Sequence, residues 1–268
     1  MGFGAPRDSA CAPSGEVLDA ARRVLAFGAG RALVFAPDAI GCAQTRRFPG
    51  LRDAILARAP HAFPMRAAFP PKTPVCFASM FTGAGPSVHG ISRYEKPVLT
   101  CDTLFDAAIR AGARVAIAAV EDSSIDLIFR GRDVDYVSSP DDGSVLESAL
   151  KLVRQDRHDL TVVYQQAYDD LLHSADPFGP GAQAALEGHV RVFGLLVDSV
   201  VEHWCGRQSV CVFAPDHGAH ADPVTGRGDH GLDIPGDMEV EHFWRFLPAA
   251  ASPAVTPWPG RGGSPPPA

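Results

Sequence analysis

The stretch Val210-Cys211-Val212-Phe213-Ala214-Pro215-Asp216-His217-Gly218-Ala219 decides the fold. A β-branched, apolar run stops at Pro215, which has no N–H to give to a sheet ladder, and passes directly to a carboxylate and an imidazole. At the carboxyl end of a strand these two groups stand where open α/β sheets gather their chemistry. The same ending occurs earlier in the chain. Val34-Phe35-Ala36-Pro37-Asp38 repeats Val212-Phe213-Ala214-Pro215-Asp216 letter for letter, so two strands aim carboxylates at one rim of one sheet.

Working outward, short β-rich runs alternate with amphipathic segments. Strands are expected at residues 32–36, 115–120, 160–164 and 210–214, with a weaker one at 134–137; helices are expected at 16–27, 51–59, 103–111, 144–155 and 183–204. Asp102 is expected to cap the 103–111 helix and Gly112 to end it. This alternation implies an α/β domain with a mostly parallel central sheet and helices on both faces, spanning residues 1–250 as one unit. Residues 251–268, rich in Pro and Gly and without periodicity, read as a disordered tail.

At 268 residues with 46% hydrophobic content, the chain is long enough to bury a substantial core. No apolar run approaches the roughly 18 residues a membrane span needs. The start, MGFGAPRDSACAPSGEV, has neither a basic n-region nor an apolar h-region, so a cytoplasmic setting is expected. Six scattered cysteines without a C-x-x-C pair suit reduced thiols better than a disulfide frame. A net charge of −7 argues against binding nucleic acid through its phosphates.

Four segments carry chemistry. The first is Asp38. The second runs from Lys72-Thr73-Pro74 through Ser79-Met80-Phe81-Thr82-Gly83 to Pro86-Ser87-Val88-His89-Gly90, and a Pro-rich lead-in delivers Thr73 to a helix start. A hydroxyl there faces free N–H donors and the positive end of a helix dipole, which lowers its pKa and favours an anion beside it. In the third, Asp169 and His173 are four apart and share a face if the segment is helical; Asp170 is an alternative to Asp169. The fourth is Asp216-His217 with His230 in Gly228-Asp229-His230-Gly231. Asp and His at strand ends suit a borderline divalent metal such as zinc. Read singly, Asp38 would be a turn residue, Thr73 a helix cap, and His89, His220 and His242 packing or supporting groups.

In their order, these motifs resemble the alkaline phosphatase superfamily, and most closely its type I phosphodiesterase and nucleotide pyrophosphatase branch. The similarity runs over residues 32–246 and rests on K-T-P, S-M-F-T-G, P-S-x-H-G-I, D-x-x-x-H before G-P, strand-D-H-G and the closing H-G. What the resemblance implies is two divalent ions, usually zinc: one held by Asp169, His173 and His230, the other by Asp38, Asp216, His217 and the Thr73 oxygen. It makes Thr73 the nucleophile of a covalent phosphoryl-enzyme and a small phosphorylated compound, nucleotides included, the substrate. The chain departs from the branch at Cys76, where relatives carry an Asn that holds a phosphoryl oxygen; a thiol is a weak donor, leaving Lys72 or a backbone N–H to take that place. The chain is also short for a relative that carries substrate caps. Monoester, phosphonate or phosphoryl-transfer chemistry on the same site, and a non-catalytic metal- or nucleotide-binding role, are the alternatives. The C/S-x-P-x-R context of a sulfatase is missing around Thr73.

Overall fold

The computed structural model describes residues 4–249 apart from 13 and 27, so the tail read at 251–268 lies outside the described residues. In chain order the strands are β1 (Arg31–Pro37), β2 (His61–Arg66), β3 (Val115–Val120), β4 (Asp135–Ser139), β5 (Leu160–Gln165), β6 (Ser209–Phe213), β7 (His220–Ala221), β8 (Gly228–Asp229) and β9 (Glu239–Leu247). The helices are α1 (Gly15–Val24), α2 (Cys42–Arg47), α3 (Pro49–Arg58), α4 (Thr73–Thr82), α5 (Pro86–His89), α6 (Leu104–Arg110), α7 (Ser124–Ile128), α8 (Asp142–Gln155), α9 (Ala167–Leu172), α10 (Pro180–His203) and α11 (Pro235–Met238).

Seven strands form one sheet in the order β2-β9-β6-β1-β5-β3-β4. From β6 to β4 all neighbours are parallel, while β9 is antiparallel to both β6 and β2. The central strands are buried on both faces, as strands covered by crossover helices must be. Along β5 the period-two alternation sends Val163 to the side of Phe193 and Leu196 on α10, and Val162 and Tyr164 to the side of Phe77 on α4 and Phe105 on α6. Phe35, fully buried on β1, packs against Phe193 and Phe213 with ring centroids 6.1 and 5.7 Å away. A side chain buried in this way contributes about 1.5–3 kcal/mol.

Two strands of the seven-stranded sheet, β2 and β9, and the short β7–β8 pair had no counterpart in the sequence reading. β9 carries Glu239, Glu241, His242 and Arg245, which disguise it; Glu239 and Glu241 meet Arg46 and Arg52 at 2.7 and 2.8 Å. β2 contains Pro64, which an edge strand tolerates because the missing N–H would face away from the ladder. The cap of α6 is Thr103 rather than Asp102: its hydroxyl accepts from Asp106 N at 3.2 Å, and Asp102 instead pairs with Arg110.

Among the described residues no helix is long and apolar enough to cross a membrane. Parallel strand order puts the carboxyl ends of β5, β1 and β6 side by side, and the residues following each reach one rim.

Candidate active site

Asp38 follows β1 directly, its N–H donating to the Gln165 carbonyl at 3.0 Å. Asp216 lies three residues beyond β6 and accepts from Ala39 N at 3.2 Å. That contact holds Ala39 at φ 63°, a left-handed position that a non-glycine residue occupies only under constraint. Asp169 sits on the short helix α9, which Asp142 caps from outside by accepting from Gln166 N and Ala167 N at 3.1 and 2.9 Å. Buried Tyr168 anchors the opposite side of that helix through its hydroxyl, which donates to the Pro177 carbonyl at 3.0 Å. Asp169 thereby turns inward, whereas Asp170 turns out toward Gln166. Thr73 is the first residue of α4, where no side chain caps the N–H groups and Pro74 costs no hydrogen bond.

The structure brings all seven sequence-derived residues together in two adjoining clusters. In one, Asp38, Asp216 and His217 present donor atoms within 4.8 Å of one another, and in the other Asp169, His173 and His230 do the same. The His217 and His230 rings stack at 4.1 Å, which makes the clusters neighbours. Thr73 Oγ1 lies 3.5 Å from Asp38 Oδ1 and 3.4 Å from His217 Nε2.

The donors fit cations. His217 Nδ1 lies 3.0 Å from the Gly218 carbonyl and His230 Nδ1 2.8 Å from the Pro71 carbonyl, so each imidazole carries its proton on Nδ1 and turns the Nε2 lone pair inward. Those lone pairs face carboxylate oxygens at 3.4 Å (Asp216 Oδ2) and 3.3 Å (Asp169 Oδ1). Acceptor against acceptor at this range is unfavourable unless a cation lies between. Both oxygens are buried without a hydrogen-bond partner, a deficit a bound ion removes.

Electrostatics separate the clusters. Burial first, then the neighbouring Asp216 and Asp169 charges, raise the Asp38 carboxyl well above its ordinary range. Burial, with Asp169, does the same to Asp216. Burial also acts on Asp169, but contacts from His173 and His230 outweigh it and hold that carboxyl low. His217 is pushed down to about 3 by burial and by His230, which keeps it neutral and fit to ligate.

Of three further partners of this site, Tyr164 and Asp237 carried no signal in the sequence, whereas Lys72 stood there only as a substitute for the phosphate clamp. Tyr164, buried at the end of β5, donates its hydroxyl to Asp38 Oδ2. The Lys72 ammonium donates to the His230 carbonyl and lies 3.8 Å from Asp229. Asp237, deeply buried in α11, contacts the His230 loop. The cysteine at the expected clamp position is buried, its Sγ 3.6 Å from the Ala68 carbonyl. His89, at the end of α5, meets Ser79 of α4 at 2.9 Å, and His242 reaches the Pro215 carbonyl at 2.9 Å.

No protein-family model matches the sequence, and no curated protein does either. Solved structures do. Phosphonoacetate hydrolase from Sinorhizobium meliloti 1021, in complex with phosphonoacetate, superimposes with a TM-score of 0.56 at 20% identity, over 73% of this chain and 58% of that one. Murine ectonucleotide pyrophosphatase/phosphodiesterase 5 superimposes with a TM-score of 0.58 at 15% identity, over 72% and 58%. An inactive form of the murine protein in complex with AMP gives 0.57 at 16%, with the same coverage. This chain therefore has the alkaline phosphatase-like fold that its motifs suggested. It spans about three fifths of the length of those structures.

Proposed function

We propose that this chain is a metal-dependent phosphoester hydrolase of the phosphodiesterase or nucleotide pyrophosphatase kind, with Thr73 as nucleophile. The observation that carries this reading is the position of Thr73 Oγ1, buried at a helix start and 3.4–3.5 Å from His217 and Asp38, beside two sets of cation ligands. Asp38, Asp216 and His217 would hold one divalent ion and Asp169, His173 and His230 the other, with zinc suited to the mixed Asp/His donors. Bound there, such ions supply Lewis-acid charge that makes an alkoxide accessible at neutral pH and offsets charge on the leaving oxygen.

The chain's own groups do the rest. The free N–H groups of α4 and its dipole favour the ionised Thr73 oxygen and the anionic substrate alike. Tyr164 fixes Asp38, and the Nδ1 contacts of His217 and His230 fix their rings. Thr73 Oγ1 forms a bond to phosphorus as the bond to the leaving alcohol breaks; water then displaces Thr73 and releases the monoester. Lys72 is a cation at this rim, and its ammonium is already engaged by the His230 carbonyl and lies 3.8 Å from Asp229. That favours singly charged diesters over doubly charged monoesters.

Hydrolysis of an activated aryl phosphodiester by the purified protein, abolished by a chelator and restored by zinc, is the expected result. Chelator-insensitive turnover or a zinc-free active protein would overturn the reading. The phosphonoacetate hydrolase likeness favours a second reading, a phosphonate substrate. Rates on aryl diester, aryl monoester and phosphonoacetate measured side by side separate the two, the diester being expected to lead.

A further inference from the structure

Asp237 contacts no substrate-facing group, yet it touches the loops that carry ligands of both clusters. Its side chain is completely buried. One carboxylate oxygen, Oδ2, accepts from Gly231 N and from Leu232 N, both at 2.9 Å. These are the residues immediately after His230. The other oxygen, Oδ1, lies 2.7 Å from His220 Nδ1, itself held on β7. From the same residue the backbone carbonyl accepts from Gly218 N at 2.8 Å, the residue immediately after His217.

The packing around this junction leaves little slack. A Cβ on Gly218 would lie 2.1 Å from the Gly236 carbonyl oxygen, and one on Gly41 would lie 2.6 Å from the Gly218 Cα. Three backbone segments thus meet where only hydrogen atoms fit: the one after Asp38, the one after His217, and the turn bearing Asp237. Gly231 at φ 125° completes the arrangement, with a Cβ there striking Lys72 Cε at 2.6 Å. Displacing the His230 loop would therefore move Lys72 as well.

We infer that Asp237 is a positioning residue that fixes the two ligand histidines relative to one another, so that occupancy of the Asp169–His173–His230 cluster depends on it. The inference rests on the metal-dependent reading of the site above. Its physical basis is that a metal binds tightly where its ligands are already in place, and that groups behind the ligands commonly change affinity about 10–100-fold. The carboxylate suits the task because a single oxygen can accept two adjacent N–H groups while the other takes an imidazole N–H. In Asp237→Asn the remaining oxygen can keep the loop N–H pair only if the new NH₂ turns to His220, which must then move its proton to Nε2, and the charge that strengthens all three hydrogen bonds is lost.

The test is zinc content and zinc affinity of wild type, Asp237→Asn and Asp237→Glu, with Asp106→Asn as a control. Asp106 likewise bonds Thr103 N, Thr103 Oγ1 and Arg132, far along the chain from the ligands, and its loss weakens the fold without touching them. Asp237→Asn is expected to fall from two zinc ions per chain toward one, with affinity for the second lowered at least about tenfold. Excess zinc should restore turnover of Asp237→Asn, and Asp237→Glu should fall between it and wild type. Asp106→Asn should keep both ions despite a lower melting temperature. Two ions of unchanged affinity in Asp237→Asn, or equal zinc loss in Asp106→Asn, would overturn the inference. A wild type that binds no zinc would instead sink the metal-dependent reading beneath it.

Discussion

Asp38, Asp216 and His217 stand at strand ends with at most 2% of their side chains exposed, whereas in the second cluster His173 is 45% exposed and all three ligands come from a short helix and a loop. The buried cluster gathers two carboxylates, and burial, with the charges of Asp216 and Asp169 acting on Asp38 and that of Asp169 on Asp216, raises both pKa values. In the open cluster Asp169 already has two imidazoles, and its carboxyl is held low. Both clusters leave a buried carboxylate oxygen facing an imidazole lone pair and so call for a cation, but the buried one must in addition offset two carboxylates whose charged forms burial disfavours. On the metal-dependent reading proposed above, the contrast implies a division of labour: a tightly held ion beside Thr73 and a more exchangeable one in the open cluster.

The largest expected effect is Thr73→Ala. Without its hydroxyl the carboxylates and imidazoles remain, so the protein should fold and keep most of its zinc, yet turnover should fall on the order of a thousandfold or more. Retention of more than about a tenth of wild-type turnover, too small a loss for a missing nucleophile, would point to direct attack by water. Next in size are the ligand variants, which probe the two clusters against each other. Asp216→Asn should lose the tightly held ion along with activity, while His173→Ala should lose only the weaker one and recover with added zinc. Identical zinc titrations for the two variants would erase the distinction.

Metal-free protein gives a comparison of opposite sign. The folded Asp216 carboxyl titrates above the unfolded value of 3.8, so the folded state holds the extra proton in acid and wild-type stability falls as pH rises through that window. Asp216→Asn removes the buried charge. Stripped of metal, the variant should melt above wild type at pH 7.5, by on the order of 1 kcal/mol, and the advantage should shrink toward pH 5. A variant less stable than wild type at both pH values would contradict the raised pKa. An effect of similar size is expected from Tyr164→Phe, which deprives Asp38 of its buried donor and should weaken zinc at the buried cluster about tenfold, with little change at the other.

Much of this contrast was legible in the sequence, and for a definite reason. β1, β3, β5 and β6 are buried on both faces and read as continuous apolar runs, so their ends, and with them Asp38 and Asp216, could be placed. β9 and β2 hid because an antiparallel margin carries surface charges and tolerates Pro64. Thr73 was recognisable from its helix-start context, and Asp169 and His173 from their spacing. The choice of Asp169 over Asp170 was not, since it depends on the phase of a six-residue helix set by Asp142 and Tyr168 from outside it. Nor were Tyr164 and Asp237, whose roles arise from contacts 126 and 6 positions away that no local pattern encodes.

The central claim is that Thr73 becomes covalently bonded to phosphorus. It is tested most directly by mixing zinc-loaded protein with an aryl phosphodiester, quenching in acid within the first turnover, and measuring the mass of the peptide that bears Thr73. The expected result is a transient mass gain equal to the substrate less its leaving phenol, located on Thr73 and absent from Thr73→Ala. Full turnover in the same sample with no adduct on Thr73 at any quench time, or an adduct on another residue, would contradict it.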